Sequence, residues 1–215
     1  MKEKGIVYGP IEDEPLSVRE AALDYRTGKQ QGEYTLEDYY ALPDDQRAEL
    51  IDGVFYNMAS PTGIHQFFGG EIYAQIRDYI RRKGGNCMPF VAPFDVQLDR
   101  DDRTMVEPDV LVVCNRDQIR NKAIDGAPDF IVEVLSPSTR EKDIWLKLHK
   151  YRKAGVREYW IVDPDGKTVT VYDFEHDSLP EKYGFESKVP VNIFGRKCEI
   201  NFAEIYERIR FLYDE

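Results

Sequence analysis

Positive charge is scarce in this 215-residue chain. Its 29 lysines and arginines stand against 40 aspartates and glutamates, a formal charge of -11, which counts against a general nucleic-acid binder with a uniformly basic surface. Cysteine is scarce too: Cys87, Cys114 and Cys198 make no CxxC pair. An odd, scattered set without a secretory leader points to reduced thiols in a cytoplasm, with Cys114 in a core strand. Only three histidines occur, and none is spaced to make a zinc site with His65; His149 and His176 read as surface residues. No apolar run approaches the ~20 residues that span a bilayer, so no membrane partner is expected. There is no phosphate-cradling glycine loop, repeat or low-complexity segment, and no organic cofactor is expected. What is present is ordinary: 42% hydrophobic and 13% aromatic residues, enough for one domain over 34–215. Residues 1–33 read as a polar N-terminal extension with a short helix after Ser17.

Two apolar runs stand out, Val110 to Cys114 and Phe130 to Leu135. Continuous β-branched runs suit strands covered on both faces, as in the middle of an α/β sheet. Each carries one acid. Asp109 stands at the mouth of the first, after Pro108, and Glu133 sits inside the second, where an unpaired carboxylate would cost several kcal/mol. On adjacent strands the two carboxylates could share a divalent cation through hard oxygen ligands.

A helix should follow, opened by a Ser138–Glu141 capping box and stopped at Gly155. On a wheel of about 100° per residue its apolar face is Ile144, Leu148 and Tyr151, with Lys142, Lys150 and Lys153 on the far side. Lys147 lies about 60° from the centre of that face, with Asp143 one turn earlier, and is best placed to reach Glu133. Two acids and a lysine at one place form the equipment of metal-assisted phosphodiester hydrolysis; the alternative is a plain ion pair of Glu133 with Lys147 that bridges sheet and helix.

The spacing Pro108-Asp109 … Glu133 resembles the PD-(D/E)XK nuclease superfamily. The run from Gly126 to Pro164, with G-A-P-D-F-I-V-E-V-L-S-P-S-T-R at its head, is similar to the Uma-type restriction endonuclease family. The resemblance covers roughly residues 34 to 205. It implies a restriction-endonuclease-like α/β fold, a mixed central sheet flanked by helices with hairpin extensions. It also implies Mg²⁺ or Mn²⁺ held by Asp109 and Glu133, with the Val134 carbonyl as a third ligand. One departure is Leu135, where the superfamily pattern has a lysine; in the Uma-type family the lysine has moved to the next helix, which matches Lys147.

Ala48 to Tyr56 reads as a hairpin turning at Asp52-Gly53. Glu49 then faces Tyr56 and shares a side with Ile51, which asks for a partner: a hydrogen bond or a third acid at the metal site. Thr35 should cap a short helix, and a longer one should run from Ser60-Pro61-Thr62-Gly63 to Lys83 with Phe68, Ile72, Ile76 and Tyr79 buried. His65 in its first turn borders the cleft by resemblance. Val91 to Leu98 reads as one strand, with Asp95 a secondary site candidate. Glu158 to Tyr172 reads as a hairpin closing one edge of the sheet, 175–190 as loop, and Ile200 to Leu212 as an amphipathic helix.

Two basic stretches relieve the acidic balance, Arg140 to Arg157 and Arg77 to Lys83, either DNA-facing or simply solvated helix faces. The leading expectation is a divalent-metal-dependent endonuclease acting on DNA, for which a homodimer would present two patches to one duplex. The alternatives are a nuclease-fold binding or assembly module without catalysis, and a glycosidase with paired carboxylates, which the apolar setting of Glu133 disfavours.

Overall fold

The computed structural model describes residues 29–43 and 45–213; the helix expected after Ser17 lies outside them. Thr35 and Asp38 form a capping box at the start of α1 (Leu36–Tyr40). The Asp52-Gly53 turn joins β1 (Ala48–Ile51) to β2 (Val54–Asn57), with Glu49 opposite Tyr56 and Ile51 opposite Val54. Both turn residues have positive φ, 51° and 78°, as this tight hairpin connection demands. Thr62 caps α2 (Gly63–Lys83) by accepting the His65 backbone N–H, and Gly84 ends it at φ 68°.

The single strand expected from Val91 to Leu98 is two. β3 (Met88–Val91) runs antiparallel to β5 (Val110–Val113), while β4 (Asp95–Gln97) pairs in parallel with β6 (Ala123–Asp125). The chain leaves the main sheet at Pro93, which has no N–H to give a ladder. The β3–β5 register, Met88 opposite Val113, also brings Cys87 against Cys114, and the two are joined as a disulfide. This corrects the expectation of three reduced thiols. The pair comes from strand register across 27 residues of sequence, which no local motif announces. Cys114 lies just beyond β5, half-buried, and Cys198 is free and buried.

β7 (Phe130–Val134) runs antiparallel to β5 and parallel to β8 (Glu158–Asp163). Between them come a π-helical segment, Lys142–Lys147, and α3 (Leu148–Ala154), which ends at Gly155 with φ 96°. β9 (Thr168–Asp173) returns along β8, and β10 (Glu181–Gly184) pairs with β9. The main sheet therefore reads β10-β9-β8-β7-β5-β3. Its edge is β10, a strand inside the stretch expected to be loop, not the β8–β9 hairpin. β11 (Lys188–Val191) and β12 (Cys198–Asn201) form a second hairpin, and α4 (Phe202–Ile209) follows. Ile200 is thus a strand residue rather than the start of the C-terminal helix.

Strand alternation divides the main sheet into two faces. One presents Val110, Val112, Phe130, Val132, Val134, Trp160 and Val162 to the buried stripes of α2 and α4. The other presents Leu111, Val113, Ile131, Tyr159 and Ile161 to Tyr151 and the β1–β2 hairpin. Asp109 and Glu133 share odd numbering with the second set.

Candidate active site

Continuing the β5–β7 register one step beyond Val110↔Val132 sets Asp109 opposite Glu133, where cross-strand side chains on one face lie about 5 Å apart at Cβ. Asp109 Oδ2 accepts the Val134 N–H at 2.7 Å and lies 3.2 Å from His65 Nε2. The His65 ring also donates to the Val134 carbonyl. Glu133 is 3% exposed, and its Oε1 accepts from Lys147 Nζ at 2.8 Å and from the Tyr151 hydroxyl at 2.6 Å.

Lys147 reaches a second carboxylate, with Glu49 Oε1 at 2.7 Å, and Lys142 Nζ donates to Glu49 Oε2 at 2.6 Å. Glu49 further accepts the Glu107 backbone N–H at 3.0 Å. The fourth carboxylate is Asp143, 2% exposed, whose Oδ1 lies 3.5 Å from Lys147 Nζ and makes no hydrogen bond. Four carboxylates thus crowd around two ammonium groups and an imidazole.

This corrects the helical wheel. Lys142 is buried against Glu49, and Lys150 is buried between Asp52 and Asp99, at 2.7 and 2.6 Å. Lys142 and Lys147 are five residues apart, about 140° on an α-helical wheel, but i→i+5 winding stacks them on one side. The inward axis moves to Lys147, and Lys150 follows three residues on. Helix winding was the missing signal for both lysines; the Tyr151 hydroxyl, read only as part of an apolar face, could have been flagged as a donor needing a buried partner.

The electrostatics follow from this crowding. Burial alone would raise the Glu49 carboxyl, but Lys142 and Lys147 outweigh it and hold it at about 2. Burial pushes the Glu133 carboxyl well up; Lys147 offsets this only in part, and Asp143, Asp109 and Glu49 push further. Asp143 is raised for the same first reason. Lys147 loses charge stability through burial yet is held well above its ordinary value by Glu133, Glu49 and Asp143. Burial would also lower the His65 imidazolium, but its bond to Asp109 raises it. Ionised Glu49 is therefore the principal counter-ion of Lys147.

Glu49, Glu133, Asp143 and Lys147 meet directly, and Asp109, Val134 and His65 form the adjoining end of the cluster. Asp95 is not brought there: its carboxyl accepts from Tyr39 at 3.0 Å, and burial raises it. The basic run from Arg140 to Arg157 is not an open patch. Besides the three lysines, Arg140 pairs with Asp163, Arg152 with Asp177, and Arg157 with Asp129 and Glu175. Among the described residues a separate acidic trio, Asp52, Asp99 and Asp101, could gather three oxygen ligands, but the Lys150 ammonium already sits on two of them.

A family model described as "Putative restriction endonuclease", Uma2, matches residues 36–200. The chain belongs to the Uma2 family. A crystal structure of a putative nuclease belonging to DUF820 from Anabaena variabilis ATCC 29413 has the same fold: TM-score 0.66 at 22% identity, covering 80% of this chain and 97% of that one. No curated protein matches the chain. In this Uma2 protein no helix among the described residues is long and apolar enough to cross a membrane.

Proposed function

We propose that this Uma2 protein is a divalent-metal-dependent endonuclease acting on DNA. The observation that carries this reading is the surplus of buried carboxylate. Glu49, Glu133 and Asp143 outnumber Lys142 and Lys147 by one carboxyl group, Asp109 adjoins them, Asp143 Oδ1 is buried without a hydrogen bond, and burial holds the Glu133 and Asp143 carboxyls toward the neutral form. Burying a surplus anion costs several kcal/mol unless a cation offsets it, and the available donors suit a hard ion such as Mg²⁺ or Mn²⁺.

Asp109 and Glu133 would hold the ion, with the Val134 carbonyl as a third oxygen. When bound, the ion supplies Lewis acidity toward the phosphate and a lowered pKa for water. Lys147, kept protonated by Glu49, is a fixed positive charge beside Glu133 that steadies the attacking oxygen and the charge developing on the phosphate. Lys142 holds the far oxygen of Glu49, and Tyr151, one turn beyond Lys147, donates to the same Glu133 oxygen and orients it. His65 donates to Asp109 and to the Val134 carbonyl, so its protonated ring and a metal ion are alternatives at the same oxygens.

The test is cleavage of supercoiled, linear and single-stranded DNA with Mn²⁺, for wild type, Asp109→Ala and Lys147→Met. Cleavage should require metal and fall about 10²–10³-fold in each variant; activity that survives both substitutions overturns the reading. A second reading, a binding or assembly module that never cleaves, draws on the closure of the cluster, since Glu133 Oε1 is filled by Lys147 and Tyr151. Wild type that is inert under all metals while binding DNA unchanged would favour it.

A further inference from the structure

The basic groove of this acidic molecule lies away from the carboxylate cluster, on the face made by β4 and β6. We infer that this groove binds an unpaired nucleic-acid strand, its phosphates on Arg100, Arg120 and Lys122 and a base against the ring of Tyr40. The inference rests on the nuclease reading for its ligand class and extends it from the scissile phosphate to the strand beside it.

The concavity holds about 650 Å³ and is bordered by Tyr40, Gln97, Arg100, Arg120, Lys122 and Asp125, within the ~300–1,000 Å³ of typical ligand sites. Three cations face one acid there, on a chain whose total charge is -11. Asp125 lies 3.7 Å from Arg120 in an exposed pair, too weak to compete strongly with a phosphate. Arg100 is flanked by aspartates in sequence, but Asp99 is held by Lys150 and Asp101 accepts the Arg103 backbone N–H. Arg100 and Lys122 thus have no acid partner among the described residues. A second concavity, with Lys153 and the end of α3 at Gly155, shares Arg100 with the first. Arg100 borders both concavities, and exposed Lys153 extends the track to four cations, with Asp99 as a second acid along it.

The aromatic ring decides between strand types. Tyr40 is 52% exposed, and Lys122 Nζ stands over its ring, 5.7 Å from the centroid. A cation beside an open aromatic ring is the pairing that grips single strands: the ring stacks on a base while the cation meets the backbone. In a duplex the base faces are covered and the ring would have nothing to stack on. The track is also tied to the cluster. Tyr39, next to Tyr40, donates to Asp95 on β4; Val96 bonds Val106; and the Glu107 N–H reaches Glu49.

The test is fluorescence anisotropy with a labelled oligothymidylate and a matched duplex, in EDTA so that no strand is cut. Wild type should bind the single strand more tightly. Tyr40→Ala should weaken single-strand binding by between roughly five- and a hundredfold and leave duplex binding unchanged. Arg120→Gln with Lys122→Gln should lower the slope of log affinity against log salt by about 1.4 for the single strand, at an unchanged melting temperature. Equal affinity of wild type and both variants, tighter duplex binding, or no binding at all would overturn the inference. Asp109→Ala separates the two readings: cleavage lost with single-strand binding retained supports both. Cleavage retained with the groove variants impaired sinks the nuclease site and keeps the groove.

Discussion

The two faces of the central sheet are made by the same strands and handle burial in opposite ways. Toward α2 and α4, Phe68 packs 4.8 Å from Phe185 and 6.2 Å from Phe202, and Glu158 is the buried charge among the described residues of that side. Its two oxygens are met by the Trp160 ring N–H at 2.7 Å and the Ile193 N–H at 2.9 Å. Toward the β1–β2 hairpin and the π-helical turn, four carboxylates and two ammonium groups are packed together and one oxygen has no hydrogen bond. Apolar packing stabilises without directing chemistry. Buried charge stabilises little on balance and is expensive to break, so its crowding on one face, against a single hydrogen-bonded carboxyl on the other, marks the crowded face for function.

The sharpest way to break the contrast is Lys147→Met. It leaves Glu49 and Glu133 buried with less positive charge and should cost about 3–5 kcal/mol, read by urea denaturation, together with the cleavage loss described above. Adding Glu133→Gln should return part of that stability and none of the activity, because one buried anion is removed while the metal ligand is lost. The matching change on the other face, Phe68→Ala, should also cost about 3–5 kcal/mol through cavity formation. At temperatures where that variant is folded, its cleavage per molecule should equal wild type.

These contrasts depend on features that were unequally legible in the chain. The Asp52-Gly53 turn fixed the hairpin register, which delivered Glu49 to the correct side because only one two-residue connection was plausible there. The apolar runs gave β5 and β7, and their acids followed. Lys147 reaches Glu133 as its place on the helical wheel predicts, because it lies near the helix centre, where a small error of phase does little. Lys142 and Lys150 were misplaced because a π turn depends on which tertiary partners reward it, here Glu49 and Asp52 with Asp99, and not on local propensity. Cys87 and Cys114 escaped for a related reason: their meeting is a product of β3–β5 register. β10 is short and carries Glu181, Lys182 and Gly184, so no alternation announces it.

A gentler probe of the same contrast is pH. Burial pushes the Glu158 carboxyl up to about 7, against the pull of its backbone and Trp160 donors. A raised folded-state value means that stability from this group is fully present below about pH 4.5 and lost as pH rises through about 7. The loss should amount to about 3 kcal/mol. Glu158→Gln cannot ionise, so the stability gap between wild type and this variant should shrink by that amount between about pH 4 and pH 8 in chemical denaturation. A gap that stays constant would mean that the apolar face carries no titrating charge.

The smallest effect is the one that most directly separates the faces. If the carboxylate surplus is completed by a metal, Mg²⁺ or Mn²⁺ at about a hundred times its dissociation constant should stabilise the fold by about 2.7 kcal/mol, seen as a raised melting temperature. Phe68→Ala should keep that increment in full, since nothing on its face meets the ion. Asp109→Ala should lose it, although Asp109 is partly exposed and its removal should cost little in metal-free buffer. A metal increment that survives Asp109→Ala but disappears in Asp99→Ala would move the ion to the acidic trio around Lys150, and the surplus carboxylate would then be neutralised by protonating Glu133 instead.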